Sequence, residues 1–208
     1  MADLPTRDVR VLRAVYEVEH PVFVGAMRTA NATSLWAFGA AAPALWAGTY
    51  AFDDARDFRP AYLLTLSEVG AVGIVFALKN TIRRPRPYAV LADVEARSDR
   101  HRGGNAFDPY SFPSGHAATS FALATSLSLS FPEWYVIGPA YVYASTVALA
   151  RVWHGVHYPT DIVVGAAFGT GVALGVHALA DVLTPAALDG DDPLARPSPP
   201  SIRFSIPL

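Results

Sequence analysis

Residues 162–180 read IVVGAAFGTGVALGVHALA and contain no aspartate, glutamate, lysine or arginine. A helix needs about 20 mostly apolar residues to cross the hydrocarbon core of a bilayer, and this stretch is close to that length. It is rich in glycine and alanine, the small residues that allow membrane helices to pack closely. The stretch therefore predicts a transmembrane helix in close contact with its neighbours.

Four further stretches of the chain are apolar over a similar length. They are residues 33–52, residues 60–78, the run that follows Gly115 and stops at Phe131-Pro132-Glu133, and residues 134–150. The alternative is a soluble protein with five buried helices, but a chain this short would then keep too little polar surface. The predicted fold class is all-α, a polytopic membrane helix bundle with about five transmembrane helices and an N-terminal amphipathic helix.

The composition agrees with a membrane protein. Hydrophobic residues make up 52% of the 208 residues and charged residues 16%, whereas a soluble domain carries about 25% charged residues. The net charge of −2 argues against a nucleic-acid partner. The absence of cysteine excludes disulfides, thiolate metal sites and cysteine nucleophiles. The N-terminus alternates charged and apolar residues and does not read as a signal peptide.

The amphipathic segment covers residues 7–28, where apolar and charged residues alternate at helical spacing. It is expected either to lie at the membrane interface or to pack on the bundle as a surface helix, and His20-Pro21 should kink or divide it.

Two other segments are polar. Residues 83–112 read as a loop. Residues 1–185 are predicted to form a single membrane domain, and residues 186–208, rich in proline and serine, a disordered tail.

Three polar clusters fall at one end of the predicted bundle, because alternate connections between spans lie on the same side. The first is KNTIRRPRP, residues 79–87, at the exit of the second span. The second is PSGH, residues 113–116, at the start of the third span. The third is RVWHGVHYPTD, residues 151–161, which joins the fourth span to the fifth.

Five residues of these clusters suit a phosphate group. Lys79, Arg86 and Arg151 are cations, and the two guanidinium groups offer forked donors that match phosphate oxygens. Ser114 and Gly115 stand where a helix begins, so unpaired backbone N–H groups and the helix dipole favour an anion there.

Two histidines and an aspartate can supply the chemistry of phosphoester cleavage. One histidine can attack phosphorus while the other protonates the leaving group, and His116 and His157 are the candidates. Asp161 follows His157 by four residues, so at helical spacing its carboxylate can accept a ring N–H. That contact would fix the tautomer and leave the other nitrogen free to attack.

Together the clusters resemble the three-part signature of the type-2 phosphatidic acid phosphatase superfamily. The matching residues are Lys79-x6-Arg86-Pro87, Pro113-Ser114-Gly115-His116 and Arg151-x5-His157-x3-Asp161. That superfamily includes membrane lipid phosphatases, soluble bacterial acid phosphatases and vanadium haloperoxidases. The third part usually begins Ser-Arg, whereas Ala150 precedes Arg151 here. We expect slightly altered phosphate contacts from this difference, not a loss of activity.

The resemblance implies a membrane-bound lipid phosphatase that hydrolyses a phosphomonoester or diphosphate of a lipid through a phosphohistidine intermediate, with no metal or other cofactor. It implies that His157 is the nucleophile, that Asp161 orients it, and that His116 is the general acid and then the base. The remaining motif residues would bind phosphate oxygens: Lys79, Arg86, Ser114, Gly115 and Arg151. The expected partners are a phospholipid or polyprenyl diphosphate and the membrane, and the oligomeric state stays open.

Two other functions stay open at this point. A vanadate-dependent haloperoxidase could use the same pocket, although the known members of that kind are larger and soluble. A non-catalytic lipid-binding or transport protein could retain the fold, although the complete set of reactive residues argues against it.

The side of the membrane that carries the motifs is a conflict in the sequence. Of the 16 lysines and arginines, only Arg56, Arg59, Arg196 and Arg203 fall on the opposite face. The positive-inside rule would therefore place the motifs in the cytoplasm. Some of the other cations are there for phosphate, and bacterial members of the family generally face outwards. We therefore expect an integral protein of the bacterial inner membrane with an extracytoplasmic active site.

The other polar residues have simpler interpretations. Arg83 and Arg84 are expected to be interfacial anchors, and His154 to lie at the rim of the site. Glu68 stands in the middle of a span, where it should be protonated or bonded to another span. No partner is visible in sequence for His20, His101 and His177, which are expected to be structural or exposed.

Overall fold

The computed structural model describes residues 6–53, 56–97 and 108–189 of the chain. Those residues form α-helices and no β-strand. The helices are α1 (Arg7–Tyr16), α2 (Pro21–Phe52), α3 (Arg59–Ile82), α4 (Pro87–Val90), α5 (Gly115–Ser130), α6 (Trp134–Trp153), α7 (Pro159–Ala178) and α8 (Ala180–Leu183). The predicted all-α fold class is therefore confirmed.

The five apolar stretches correspond to α2, α3, α5, α6 and α7. Among the described residues, two helices are long and apolar enough to cross a membrane by length and composition, α3 and α7. Helix α5 has 16 residues, and α2 and α6 contain Pro43 and Pro139. The count of five spans stays a prediction.

The N-terminal segment divides at His20-Pro21, as the sequence predicts. Helix α1 ends at Tyr16, and α2 begins at Pro21, a favourable first position because proline lacks the N–H that would have no partner there. The second half of the predicted amphipathic segment is thus the start of a 32-residue helix that continues through the first apolar stretch. Leu12 is fully buried against Val152 and Tyr158, so α1 packs on the bundle.

Small residues bring α5 and α7 close together. A Cβ atom on Gly165 would lie 2.6 Å from the carbonyl oxygen of Ser114, and one on Gly169 would overlap the backbone of Ala118. The close packing predicted from the glycines of residues 162–180 is found at these two positions. It places the first turns of both helices side by side, and the N–H of Ser114 donates to the carbonyl of Asp161 at 3.0 Å.

The end of the described chain returns to the start of α3. Residues Ala186–Leu188 form a short 3₁₀ helix, and the N–H of Phe58 donates to the carbonyl of Leu188 at 3.0 Å. Ordered structure therefore reaches slightly beyond the predicted domain end at residue 185. The rest of the predicted tail, residues 190–208, lies outside the described residues.

Candidate active site

The three sequence clusters meet at one end of the bundle, because each lies next to a helix end on that side. Lys79 is in the last turn of α3, Ser114 caps the start of α5, and Arg151 is in the last turn of α6. Arg86 precedes α4, and Asp161 lies in the first turn of α7.

Two local devices turn the chain at the site. Arg83 adopts a left-handed conformation (φ 53°, ψ 37°) that ends α3, and Pro85 prevents a helix from resuming before Pro87, the first residue of α4. Gly155 has φ 71°, and a Cβ there would lie 2.8 Å from the carbonyl oxygen of Glu95. Only glycine therefore fits the turn that carries the chain from α6 to His157.

Lys79 and Arg86 converge on a single carboxylate, that of Asp108. Lys79 Nζ lies 2.5 Å from Asp108 Oδ1, and Arg86 Nη2 lies 2.8 Å from Asp108 Oδ2. Burial raises the pKa of Asp108, but the charges of Arg86 and Lys79 outweigh it and leave that pKa below its usual value. The predicted phosphate-binding cations therefore already hold an anion. Asp108 is not among the site residues predicted from the sequence.

His157 lies beside Arg86 in the interior of the site. Arg86 Nη1 is 3.2 Å from His157 Nε2 and also donates to the carbonyl of Val156 at 2.9 Å. Both side chains are almost completely buried. Burial, followed by the charges of Arg86 and Lys79, lowers the pKa of His157 well below 6.5. The ring is therefore neutral at neutral pH, with the lone pair of Nε2 directed towards the cations when Nδ1 carries the proton.

Asp161 lies next to the other side of the ring and also caps a helix. Its Oδ2 lies 3.5 Å from His157 Nδ1, longer than a hydrogen bond, and accepts the N–H of Tyr158 at 2.9 Å. The fully buried carboxylate of Asp161 therefore caps α7 and faces the His157 ring without a hydrogen bond to it. Its role in orienting His157 stays a prediction. Catalytic contacts are often long before substrate binds and tighten afterwards.

Arg84 is an integral part of the site, and its interpretation as an interfacial anchor is wrong. Its Nη1 donates to Asp161 Oδ1 at 2.8 Å, and its Nη2 donates to Asp8 Oδ2 at 2.7 Å. Its guanidinium lies 3.8 Å from the ring centroid of Tyr158. The neighbouring Arg83 is exposed and donates to the carbonyl of Asn80, as expected of an anchor.

The remaining predicted residues also lie at this end of the bundle. Arg151 is buried and bonds to the side-chain oxygen of Asn31 in α2, and its charge contributes to the lowered pKa of His157. Ser114 Oγ accepts the N–H of Ala117 at 3.4 Å, as a helix cap does. His116 is half-buried, with its ring 5.9 Å from that of Phe38 in an edge contact.

Two concave surfaces lie between the helices of the bundle. A cavity of about 410 Å³ between α3 and α5 has Lys79, Asp108 and Gly115 at its polar end and Val75 and Phe76 along its wall. An apolar groove of about 360 Å³ lies between α2, α5 and α6. Its α5 residues are Ser120, Leu123, Ala124 and Leu127. They follow His116 at helical spacing, on the same face of the helix.

Among Glu68 and the remaining histidines, the location of His154 differs from its prediction. His154 is buried against Trp153, not exposed at a rim, and burial followed by the charge of Arg151 lowers its pKa to about 4. His20 is exposed, and His177 Nε2 bonds to Ser126 at 3.0 Å. Oε1 of Glu68 is buried with no hydrogen-bond partner among the described residues. His101 lies outside those residues.

A protein metal site needs several histidine or carboxylate ligands around one point. Within residues 6–53, 56–97 and 108–189, no group of three or more histidine, aspartate or glutamate side chains is arranged to hold a metal ion.

A family model for the PAP2 superfamily matches residues 60–184, more than half of the chain. The chain belongs to the PAP2 superfamily. The resemblance inferred from the three motifs is thereby confirmed, and all eight candidate site residues fall within the matched range.

Relatives within the PAP2 superfamily act on different lipids. The chain is 35% identical over 92 residues to the lipid A 4'-phosphatase of Bacteroides thetaiotaomicron, covering 44% of this chain and 39% of that protein. It is 34% identical over 106 residues to the decaprenylphosphoryl-5-phosphoribose phosphatase of Mycobacterium tuberculosis, covering 49% of this chain and 51% of that protein. The chain therefore spans about half the length of these relatives, or less.

A solved structure shares the fold. The transmembrane PAP2-type phosphatidylglycerolphosphate phosphatase of Bacillus subtilis superposes with a TM-score of 0.62, at 23% sequence identity. The superposition covers 85% of this chain and 86% of that chain. At this identity the likeness concerns the fold alone.

Proposed function

We propose that this protein is a membrane-bound lipid phosphatase that works through a phosphohistidine intermediate. The observation that carries the proposal is the buried His157, whose Nε2 lies 3.2 Å from Nη1 of Arg86, a predicted phosphate ligand. Membership of the PAP2 superfamily and the named phosphatases among its relatives support the same reaction.

The residues divide the reaction between them in two steps. In the first, His157 Nε2 forms a bond to phosphorus, the phosphorus–oxygen bond to the lipid breaks, and His116 gives its proton to the leaving oxygen. In the second, His116 takes a proton from water, the water oxygen bonds to phosphorus, and the phosphorus–nitrogen bond breaks. Inorganic phosphate leaves, and both histidines regain their initial state.

Fixed cations stabilise the charge that moves through this reaction. Lys79, Arg86 and Arg151 lie close enough to His157 for their charges to lower its pKa, and Gly115 at the start of α5 lines the same cavity as Lys79. Pre-positioned positive charge of this kind is the main source of rate in phosphoryl transfer. We therefore propose that turnover needs no metal ion, and activity should survive excess EDTA.

A lipid substrate is supported by the cavity next to Lys79. Its polar end is formed by phosphate-binding residues, while Val72, Val75 and Phe76 line the wall that runs along α3. A phosphate at the polar end would leave an apolar chain beside that wall. The helices α3 and α7 are long and apolar enough for a membrane protein. A bacterial inner-membrane location with an extracytoplasmic site stays part of the proposal.

Phosphate release by the purified protein from a panel of lipid phosphates and diphosphates tests the proposal, with and without vanadate. Vanadate should inhibit a phosphatase, whereas activation of halide oxidation would favour the haloperoxidase alternative. A substrate labelled in its phosphate should leave a phosphoenzyme that is labile in acid and stable in base, as phosphohistidine is.

Two histidine variants sharpen this experiment. His157→Ala should abolish both the phosphoenzyme and turnover, whereas His20→Ala, an exposed histidine outside the site, should preserve both. A phosphoenzyme that survives in His157→Ala would refute the assignment of the nucleophile. No phosphate release from any lipid would favour a non-catalytic membrane protein.

A further inference from the structure

We propose that Arg84 is a positioning residue for the His157–Asp161 pair, and that the N-terminal helix α1 holds Arg84 in place through Asp8. This inference rests on the proposed phosphatase function. It assigns a role to a residue of the first cluster that the three-part signature leaves unspecified, and to a helix outside the matched range of the PAP2 superfamily.

Asp161 makes contacts through both of its carboxylate oxygens. Its Oδ2 faces His157 Nδ1 and accepts the N–H of Tyr158, while its Oδ1 accepts Nη1 of Arg84 at 2.8 Å. Asp161 has no exposed surface, so its charge needs compensation inside the protein. Arg84 supplies that positive charge, and by holding Oδ1 it fixes the plane of the carboxylate that faces the nucleophile.

Arg84 is itself held by contacts with Asp8, Thr160 and Tyr158. Nη2 of Arg84 donates to Asp8 Oδ2 at 2.7 Å, and Nη1 also donates to the hydroxyl of Thr160 at 2.8 Å. The same Asp8 accepts the Thr160 hydroxyl at 2.6 Å and the Thr160 N–H at 3.0 Å. The Tyr158 ring covers the guanidinium. Contacts on several sides of a planar guanidinium leave it one orientation.

Arg84 contacts Asp161 of the pair but none of the predicted phosphate-binding residues. Among the described residues, the side chain of Arg84 contacts Asp8, Tyr158, Thr160 and Asp161, whereas Lys79 and Arg86 bind Asp108. Arg84 should therefore affect the chemical step and not the binding of substrate. Burial lowers its pKa, but Asp8 and Asp161 outweigh this and raise it above the usual value, so the charge is permanent.

Arg84→Gln should reduce kcat by about 10- to 100-fold, the loss expected when one charge-assisted hydrogen bond to a catalytic group is removed. KM should stay within about threefold. Arg84→Lys keeps the positive charge but lacks the fork of the guanidinium, which donates to Asp161 and Asp8 at once. Its kcat should therefore lie between those of the parent and Arg84→Gln. Arg83→Gln, the same change at the exposed neighbouring arginine, is the matched control and should leave kcat unchanged.

The pH profile is a readout that a merely structural role would not move. The charged groups around the pair are Lys79, Arg86, Arg151, Asp108, Arg84 and Asp8. Arg84→Gln removes the cation that pairs with Asp161. The negative charge of Asp161 is then uncompensated and favours the protonated form of His157. The acid limb of kcat should therefore move to higher pH in Arg84→Gln and return towards its original position in Arg84→Lys.

The link to α1 is tested by Asp8→Asn. This change should lower kcat in the same direction as Arg84→Gln but by less, because Arg84 keeps its contact with Asp161. The double variant Asp8→Asn/Arg84→Gln should lose less than the product of the two single effects, as expected for residues that act through one another. If the two effects multiply fully, Asp8 acts independently of Arg84, and α1 does not hold Arg84 in place.

A measurement without turnover separates failure of this inference from failure of the proposed function. Nitrogen-15 NMR of the histidine rings, assigned with His157→Ala, reports the tautomer and titration of His157 even if no lipid is cleaved. Arg84→Gln should change both, and Arg83→Gln neither. If Arg84→Gln raises KM at constant kcat, Arg84 is a phosphate ligand. If it matches the Arg83→Gln control in kinetics and NMR, the positioning role is wrong.

Discussion

Replacing Asp108 by asparagine should tighten the binding of inorganic phosphate to the site. Asp108 places its two carboxylate oxygens 2.5 Å from Lys79 Nζ and 2.8 Å from Arg86 Nη2. Those two cations are the phosphate ligands that the PAP2 motif predicts, so a phosphate group has to compete with this carboxylate. Asparagine has nearly the same shape, but it carries no charge and offers only one acceptor oxygen.

The size of the effect follows from the exposure of the two ion pairs. Asp108 is 43% exposed, and an ion pair that water can screen is worth about 0.5–1 kcal/mol. Losing both pairs should therefore favour phosphate binding by about 1–2 kcal/mol, which corresponds to a Ki about 5- to 30-fold lower. Turnover at saturation should stay within about threefold, because no chemical step is assigned to Asp108.

Competitive inhibition by inorganic phosphate, measured with a short-chain lipid phosphate in detergent, gives this Ki directly. Asp93→Asn is the matched control, since it removes the same charge from an exposed aspartate that pairs with Arg13 at 2.6 Å. The control should leave Ki unchanged.

Two results would refute the reasoning. A Ki for Asp108→Asn that is equal to or higher than that of the parent would mean that the carboxylate supports the cations and does not compete with phosphate. An equal decrease in Asp93→Asn would mean that only the net charge of the protein matters.

Three further predictions concern the catalytic residues. His116→Ala should slow turnover much less for a substrate with a good leaving group than for a lipid alkoxide, because a good leaving group needs no proton; equal losses on both would contradict its role as the general acid. The acid limb of kcat/KM should lie below pH 6.5, because burial and the nearby cations lower the pKa of His157. Activity that needs the neutral ring is lost only as pH falls through that lowered pKa. An acid limb at or above pH 6.5 would belong to another group. Asp161→Asn should lower kcat by up to about 10⁴-fold, as loss of the orienting carboxylate does in a hydrolase triad, with little change in KM; turnover within about threefold of a stably folded parent would leave Asp161 only its cap on α7.

The helices and the end of the bundle that carries the site could be predicted from sequence because both depend on local patterns. Apolar runs of the right length mark α3 and α7, and the break at Pro21 follows from the missing N–H of proline. Three clusters next to helix ends must lie on one side when spans alternate in direction. The length of α2 was less predictable, because its polar first turns resemble an interfacial segment while the helix continues without interruption.

Asp108 could not be predicted, because nothing in the sequence near it indicates its partners. It lies 29 residues after Lys79 and 22 after Arg86, in a loop whose path no hydrophobic period determines. A lone aspartate in such a loop is normally a solvated surface residue. Its role depends on where the loop returns, which only the folded chain decides.

Arg84 did leave a signal in the sequence. Proline at position 85 disfavours a helical conformation of the residue before it, so Arg84-Pro85-Arg86 is extended. In an extended chain, residues two apart point to the same side. The motif predicts that Arg86 faces the phosphate region, so Arg84, two residues earlier, should point to the same side. The structure has this arrangement, with Arg86 at His157 Nε2 and Arg84 at Asp161 Oδ1. The two arginines thus approach the His157–Asp161 pair at its two ends, one where phosphate would bind and one behind the orienting carboxylate. An anchor at the membrane surface would have needed no such spacing, and the exposed Arg83, which follows the helical turn and not the extended segment, lacks it.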